Sequence, residues 1–216
     1  MPLAELTHHR RRTARRTTLV AGLASSLALG VVGVAAAADI TGTRGDDVLR
    51  GTARVDEIKA LAGDDRVFAG ADTDKVEGGY GDDVLRLGPG TDQFGVGDLG
   101  LGGPGADRLY GEEGPDQLVG GPGPDLLDSG GDGDGAFGKD GDDVIITGLG
   151  ADTLGLGSGR DRAEAGPGRD TILADDDGVV DVIRCGPDRD QVTYSERVDE
   201  RDRLSGCEVV YVEDID

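Results

Sequence analysis

The feature that most constrains this chain is an aspartate that recurs every nine residues. Read in blocks of nine over 42–95 and again over 102–173, the sequence has aspartate at position six of all fourteen blocks. These are Asp47, Asp56, Asp65, Asp74, Asp83, Asp92, Asp107, Asp116, Asp125, Asp134, Asp143, Asp152, Asp161 and Asp170. A complete set at fixed spacing indicates a repeat architecture.

Position eight of each block is apolar, from Leu49 in the first block to Ile172 in the last. Each block therefore divides into a glycine-rich turn of six residues and a strand of three. Strands this short cannot stand alone, but stacked in parallel they place every position-eight side chain on one inward row. We expect an all-β solenoid without helices.

Composition alone would favour disorder. The chain has 44 acidic residues against 22 basic ones, 40 glycines and only 3% aromatic residues. Such a sequence buries too little apolar surface to offset the entropy of ordering, unless a strict repeat or a bound cation helps. The acidity also argues against nucleic acid as a partner, because phosphates would be repelled.

The turns carry the chemistry of a calcium site. Glycine at positions one, two and four lets the backbone adopt positive φ and direct its carbonyls toward one point. A carboxylate beside convergent carbonyls is a flexible cage of oxygen atoms. Such cages select Ca²⁺, whereas Zn²⁺ prefers His or Cys and Mg²⁺ requires a stricter octahedron.

Segments 78–85 and 120–127 are the best matches to the pattern G-G-x-G-x-D-x-U, in which U is a large apolar residue. Over 42–173 the chain resembles the hemolysin-type calcium-binding repeat of the RTX family. The resemblance implies a right-handed parallel β-roll, a form of β-helix, with two repeats in each turn. It also implies multiple Ca²⁺ ions between stacked turns, bound by loop carbonyls and the fourteen aspartates, so that Asp47 pairs with Asp65 and Asp152 with Asp170.

Residues 1–38 are typical of a signal peptide. Five arginines precede an apolar run that ends in four alanines at 35–38, which predicts cleavage before Asp39. An uncleaved membrane anchor is the alternative, and Arg15-Arg16 leaves twin-arginine export open beside the general secretory route. Cleavage removes five arginines and one glutamate, so the net charge of -22 becomes -26. We expect a secreted, extracellular protein with no membrane contact after cleavage.

The remaining chain divides into a first repeat array at 39–95, a phase break at 96–101, a second array at 102–173, and irregular repeats with a C-terminal cap at 174–216. At the break Asp92 and Asp107 are fifteen residues apart, which predicts a loop or an interrupted roll. Cys185 and Cys207 are the only cysteines. In an exported chain they predict one disulfide that links the cap.

These features favour an extracellular protein that binds Ca²⁺ and folds on binding it. A calcium-braced scaffold for adhesion or surface display is an alternative, and so is a disordered acidic chain that takes up calcium without folding. A calcium-dependent polysaccharide lyase is disfavoured, because the blocks leave no long loops and the basic residues form no cluster. Both histidines, His8 and His9, lie in the leader. We therefore expect no enzyme.

Overall fold

The computed structural model describes residues 17–20, 37–90, 95–195 and 197–212. These residues form a parallel β-solenoid of about nine turns, in which the chain alternates between two sheets. The predicted all-β roll is confirmed, because successive strands of each sheet pair in parallel. Within the described ranges, no helix has the length and apolar character needed to span a membrane.

Alternate blocks supply alternate sheets. The long sheet contains, in spatial order, β1 (Thr17–Val20), β2 (Ala38–Thr41), β4 (Glu57–Ala62), β6 (Lys75–Tyr80), β8 (Leu99–Leu101), β10 (Gln117–Pro122), β12 (Gly135–Asp140), β14 (Thr153–Ser158), β16 (Thr171–Ala174), β18 (Gln191–Tyr194) and β20 (Val209–Val212). The short sheet contains β3 (Val48–Arg50), β5 (Arg66–Phe68), β7 (Val84–Arg86), β9 (Arg108–Tyr110), β11 (Leu126–Asp128), β13 (Val144–Ile146), β15 (Arg162–Glu164), β17 (Val182–Arg184) and β19 (Arg203–Ser205).

The core is narrow and lies between the two sheets. The middle residue of nearly every three-residue strand is buried, as Leu85, Leu127 and Ile145 illustrate. Smaller side chains at Ala136 and Ala163 are equally buried. Because β-strands alternate their side chains, the residues on either side of each core residue point outward. The predicted inward row is therefore confirmed wherever the structure describes it; Phe94 lies outside the described residues.

The roll continues through the phase slip. Strand β8 pairs with both β6 and β10, and β7 pairs directly with β9. The prediction that the phase break covers 96–101 is therefore wrong, because Leu99–Leu101 is a regular strand. Its inward residue is Gly100, and a Cβ there would lie 3.1 Å from Leu87 Cδ1 and 3.3 Å from Leu118 Cδ2. Leu87 thus fills the space of the missing side chain.

Both ends of the roll carry additional strands. At the N-terminus, Thr17–Val20 pairs with Ala38–Thr41; the rest of the predicted leader, 1–16 and 21–36, lies outside the described residues. At the C-terminus, the irregular repeats still form β17 to β20. Cys185 and Cys207 form the predicted disulfide, with Cα atoms 5.2 Å apart. The bond joins the residue that follows β17 to the segment between β19 and β20.

Candidate metal centre

The position-six aspartates stack into two columns, one along each edge of the roll. In each column, the backbone N–H of one aspartate donates to Oδ1 of the aspartate one turn further along the chain. The distance from N to Oδ1 is 2.8 Å both from Asp107 to Asp125 and from Asp125 to Asp143. The short-sheet column contains Asp47, Asp65, Asp83, Asp107, Asp125, Asp143, Asp161, Asp181 and Asp202. The long-sheet column contains Asp56, Asp74, Asp98, Asp116, Asp134, Asp152, Asp170, Asp190 and finally Glu208.

The second oxygen of most of these carboxylates is buried and has no hydrogen-bond partner among the residues that the structure describes. This holds for Oδ2 of Asp65, Asp74, Asp83, Asp98, Asp107, Asp116, Asp125, Asp134, Asp143, Asp152, Asp161, Asp170 and Asp190. A buried carboxylate oxygen without a partner is costly. A row of such oxygens indicates that each column is built to receive a cation.

The space beside each free oxygen is bounded by a backbone carbonyl. A Cβ added at Gly78 would lie 2.5 Å from Asp83 Oδ2 and 2.7 Å from the carbonyl oxygen of Gly102. At Gly78 the absence of a Cβ leaves this space open, with a carboxylate oxygen and a carbonyl oxygen both facing the Cα. Such a pair of oxygens fits the ligands that Ca²⁺ prefers. We call this arrangement the glycine cradle.

The two columns differ in their cradles. In the short-sheet column, four consecutive turns have glycine at position one: Gly78, Gly102, Gly120 and Gly138. They serve four consecutive aspartates, Asp83, Asp107, Asp125 and Asp143. In the long-sheet column the equivalent positions carry buried side chains in most turns, including Ala69, Leu87, Ser129, Thr147 and Ala165. The short-sheet column therefore has the longest unbroken run of open cradles.

The electrostatics of the columns favour neutralisation. Burial is the main cause that raises the pKa of Asp125 to about 7, and the neighbouring carboxylates of Asp107 and Asp143 add to it. The N–H that Asp107 donates to Asp125 acts in the opposite direction. In the long-sheet column, burial raises the pKa of Asp74 and Asp116 to about 8. Without a cation, these groups retain protons near neutral pH.

Some of the predicted ligands differ from the rest. Asp47 Oδ2 accepts the N–H of Thr43 at 2.6 Å, and Asp56 Oδ2 accepts the N–H of Thr52 at 2.5 Å. These first two aspartates are thus satisfied by their own turns. Among the predicted metal ligands, Asp47 and Asp56 therefore have no free Oδ2, whereas eleven others keep an Oδ2 without a hydrogen-bond partner among the described residues. Asp92 lies outside the described residues.

Sequence reasoning missed one member of the columns. Asp98 accepts the N–H of Asp74 at 2.6 Å and donates its own N–H to Asp116 at 2.8 Å. The nine-residue reading instead pairs Asp74 with Asp92. The signal for Asp98 was its spacing of nine residues from Asp107. Asp190, Asp202 and Glu208 extend the columns beyond the regular repeats.

No three His, Cys, Asp or Glu side chains converge on one point among the described residues. The predicted pairs of stacked aspartates are nevertheless present, so carboxylates enter each cradle singly or in pairs. Further ligands to a cation there would come from backbone carbonyls. This is a donor set for Ca²⁺, which accepts carbonyl oxygen readily.

Comparison with known families gives one match. The model of the RTX calcium-binding nonapeptide repeat, which spans four copies of the repeat, matches residues 41–76, 68–98, 101–136, 133–163 and 155–177. These segments cover well over half of the chain and the column aspartates from Asp47 to Asp170. No curated protein matches the sequence.

Proposed function

Because the chain belongs to the RTX calcium-binding nonapeptide repeat family, we propose that it is an extracellular calcium-binding protein whose roll folds when Ca²⁺ enters the aspartate columns. The observation that carries this proposal is the row of thirteen buried Oδ2 atoms without a partner. A cation in the cradles would give these oxygens a ligand and neutralise their charge.

Coupling between calcium and folding follows from the narrow core. Each nine-residue block buries only one or two apolar side chains between the sheets, while it also buries a carboxylate. At neutral pH the metal-free roll must either keep these carboxylates charged in a desolvated site or bind protons. The unfolded chain has neither cost. Binding of Ca²⁺ to the folded form therefore shifts the folding equilibrium strongly.

The short-sheet column is the strongest part of the proposed site. Its open cradles at Gly78, Gly102, Gly120 and Gly138 are stacked without interruption, so three successive gaps between turns have the same environment. In the long-sheet column, side chains such as Ser129 and Thr147 occupy the equivalent positions. We expect the tightest calcium binding between Asp83 and Asp143.

Two features support an extracellular location. The leader at 1–38 has the pattern of a signal peptide. The disulfide between Cys185 and Cys207 is typical of oxidising compartments. Calcium modules outside the cell commonly bind with dissociation constants of about 10⁻⁴ to 10⁻³ M, and we expect that range here. We expect no enzyme activity.

The test is far-UV circular dichroism of the chain from residue 39, first with chelator at pH 7.5 and then with titrated Ca²⁺. We expect a cooperative gain of β signal on calcium addition and no comparable gain with Mg²⁺. A chain that takes up calcium without folding would bind the ion but show no change in the spectrum. A full cooperative thermal transition in chelator at pH 7.5 would contradict the proposal.

A further inference from the structure

The outward face of four neighbouring strands in the short sheet has an unusual composition for so acidic a protein. Strands β3, β5, β7 and β9 expose two residues each, one on either side of the buried core residue. The eight residues are Val48, Arg50, Arg66, Phe68, Val84, Arg86, Arg108 and Tyr110. None is acidic, although acidic residues outnumber basic ones by 44 to 22 in the chain. We call this surface the arginine face.

The arginines alternate between two rows. Arg50 and Arg86 follow the core residue of their strands, whereas Arg66 and Arg108 precede it. The strands are in register, so that Phe68 lies between Arg50 and Arg86 in one row. With strands about 4.8 Å apart, arginines in one row are about 10 Å apart, and the two rows together present a cation at every strand. The pattern is a zigzag of positive charge along the roll.

Two of these arginines are held in place by aromatic rings. The guanidinium carbon of Arg50 lies 4.4 Å from the centroid of Phe68, and that of Arg86 lies 4.4 Å from the centroid of Tyr110. A cation–π contact fixes the plane of the guanidinium and leaves its N–H donors available at the edge. The side chains therefore lose less entropy when they bind a ligand.

Three of the four arginines have no carboxylate partner. Among the described residues, Arg86 forms a long ion pair with Glu112 at 3.4 Å, and Arg50, Arg66 and Arg108 form none. Further along the same sheet the charge is neutralised, because Arg162 and Arg184 both contact Glu164. The unpaired charge is thus concentrated on the first four strands.

We propose that the arginine face binds an extended acidic polysaccharide, a chain of sugars that carry carboxylates. Guanidinium groups recognise carboxylates by paired hydrogen bonds. A zigzag of single cations on a flat surface matches a straight polymer whose charged groups alternate from side to side. Val48 and Val84, which lie beside the arginines of the other row, offer apolar contact to the sugar C–H groups.

Charge density argues against a nucleic acid in this position. Four cations spread over three strand spacings cover about 14 Å. Duplex DNA carries about one charge per 1.7 Å, or about eight over that length, which would leave half of them facing an acidic protein. The aromatic faces at Phe68 and Tyr110 are also covered by guanidinium groups, so they offer no free platform for base stacking.

An acidic row borders the arginine face. Asp46, Asp64 and Asp82 precede the short-sheet column by one position and stack through N–H to Oδ1 hydrogen bonds of 3.0 Å. Their charge opposes an anionic ligand, and calcium in the neighbouring column reduces that repulsion. Binding is therefore measured on the calcium-loaded chain. The inference is separable from calcium-dependent folding, because circular dichroism reports the fold and a ligand titration reports the face.

The test compares two double variants that remove equal charge from one sheet. Arg66→Gln/Arg108→Gln removes arginines without partners, and Arg162→Gln/Arg184→Gln removes the arginines that contact Glu164. The probe is a fluorescent oligouronate too short to gel with calcium, titrated in saturating Ca²⁺ and followed by polarisation. A neutral dextran oligomer, single-stranded DNA and vesicles with phosphatidylglycerol serve as comparison ligands.

We expect the first variant to lose about tenfold or more in affinity for the oligouronate, the second to stay within about threefold, and added salt to weaken binding. Equal loss in the two variants, or no binding by the native chain, would overturn the proposal. Tighter binding of DNA or vesicles through the same arginines would also overturn it. If the first variant fails to fold with calcium, Arg50→Gln/Arg86→Gln tests the same face.

Discussion

Replacing Asp125 with asparagine should change stability in opposite directions with and without calcium. The amide oxygen of Asn can still accept the N–H of Asp107, which lies 2.8 Å from Oδ1 in the native chain. The asparagine side chain is neutral, so it does not carry the charge that burial disfavours. In chelator, Asp125→Asn therefore stabilises the roll; in calcium it removes an anionic ligand from an open cradle and destabilises it.

The size of the effect follows from the pKa of Asp125, which burial raises to about 7 from an ordinary value of 3.8. A folded-state pKa above the unfolded value means that the folded form binds more protons, so stability is lost as pH rises from about 4 through 7. If the whole pKa shift acted on stability, the charged Asp125 would lower the free energy of unfolding by at most about 4 kcal/mol above pH 7. Because water partly screens the site, we expect the cost of one unsatisfied buried acceptor, about 1–3 kcal/mol.

Asp134→Asn is the matched control. Asp134 is equally buried and its pKa is also raised to about 7, but Ser129 occupies its cradle position where Asp125 has Gly120. Both variants should gain similar stability in chelator at pH 8, and neither should change much at pH 5, where the native aspartates are protonated. In calcium, Asp125→Asn should lose about tenfold in affinity, equivalent to about 1.4 kcal/mol. Asp134→Asn should lose less than about threefold.

The assay is urea unfolding followed by circular dichroism, with an osmolyte added in chelator so that the folded form is populated. Calorimetric titration gives the calcium affinities. Destabilisation of the metal-free chain by Asp125→Asn at pH 8 would refute the assignment of a buried, unpaired charge. An equal loss of calcium affinity in Asp125→Asn and Asp134→Asn would refute the role of the glycine cradle.

Three further predictions concern the metal-free fold, the turns and the disulfide. In chelator, lowering the pH from 8 to 5 should increase the β signal in circular dichroism. Burial raises the pKa of Asp74, Asp116 and Asp161 to about 8, and protonation removes their charge. Loss of signal on acidification would contradict this. Gly123→Ala should lower the free energy of unfolding by urea in calcium by about 2 kcal/mol or more, because φ is 129° and the new Cβ would meet the carbonyl of Gly105. Gly131→Ala is the control and should be nearly neutral, since nothing lies within 4 Å of its Cβ position. Replacing Cys185 and Cys207 with alanine should lower the free energy of unfolding by about 3 kcal/mol in the same assay, as expected for the closure of a short loop. An unchanged urea midpoint would show that the disulfide does not constrain the unfolded chain.

The repeat predicted most of the fold because its two strictest positions are also its two buried ones. Aspartate at position six and an apolar residue at position eight have no freedom to vary in a stacked roll. The nine-residue reading missed Asp98 because a strict frame counts onward through an inserted segment, while strand pairing resumes at the residue that restores the register. It also could not anticipate that Leu87 would fill the space at Gly100.

Conformation at the turns was only partly predictable. Glycine at positions one, two and four was expected to adopt positive φ, yet none of the described position-one glycines does so. At position two, Leu61, Glu112 and Lys139 adopt positive φ as well, with values of 85°, 80° and 89°. Stacking imposes the conformation, and these three residues accept the strain. Conversely, Arg54 at position four avoids positive φ, and the turn closes instead through the N–H of Thr52 and Asp56.

The arginine face was invisible to the nine-residue period. Because alternate blocks enter alternate sheets, residues that share a face recur every eighteen residues, and Arg50, Arg66, Arg86 and Arg108 are scattered in the sequence. The stacking of the strands brings these four arginines onto one face of the short sheet. Variable positions seven and nine thus carry information that only the stacking reveals.

The aspartate columns also give the roll a direction. Every carboxylate leans toward the N-terminal neighbour whose N–H it accepts, so the two ends are chemically different. The N-terminal carboxylate of Asp47 is closed off by Thr43, and at the other end Asp202 accepts the N–H of Asp181 on one oxygen and the hydroxyl of Tyr194 on the other. A roll shortened at both ends would present bare donors at one end and free acceptors at the other, which is the complementarity of a head-to-tail filament.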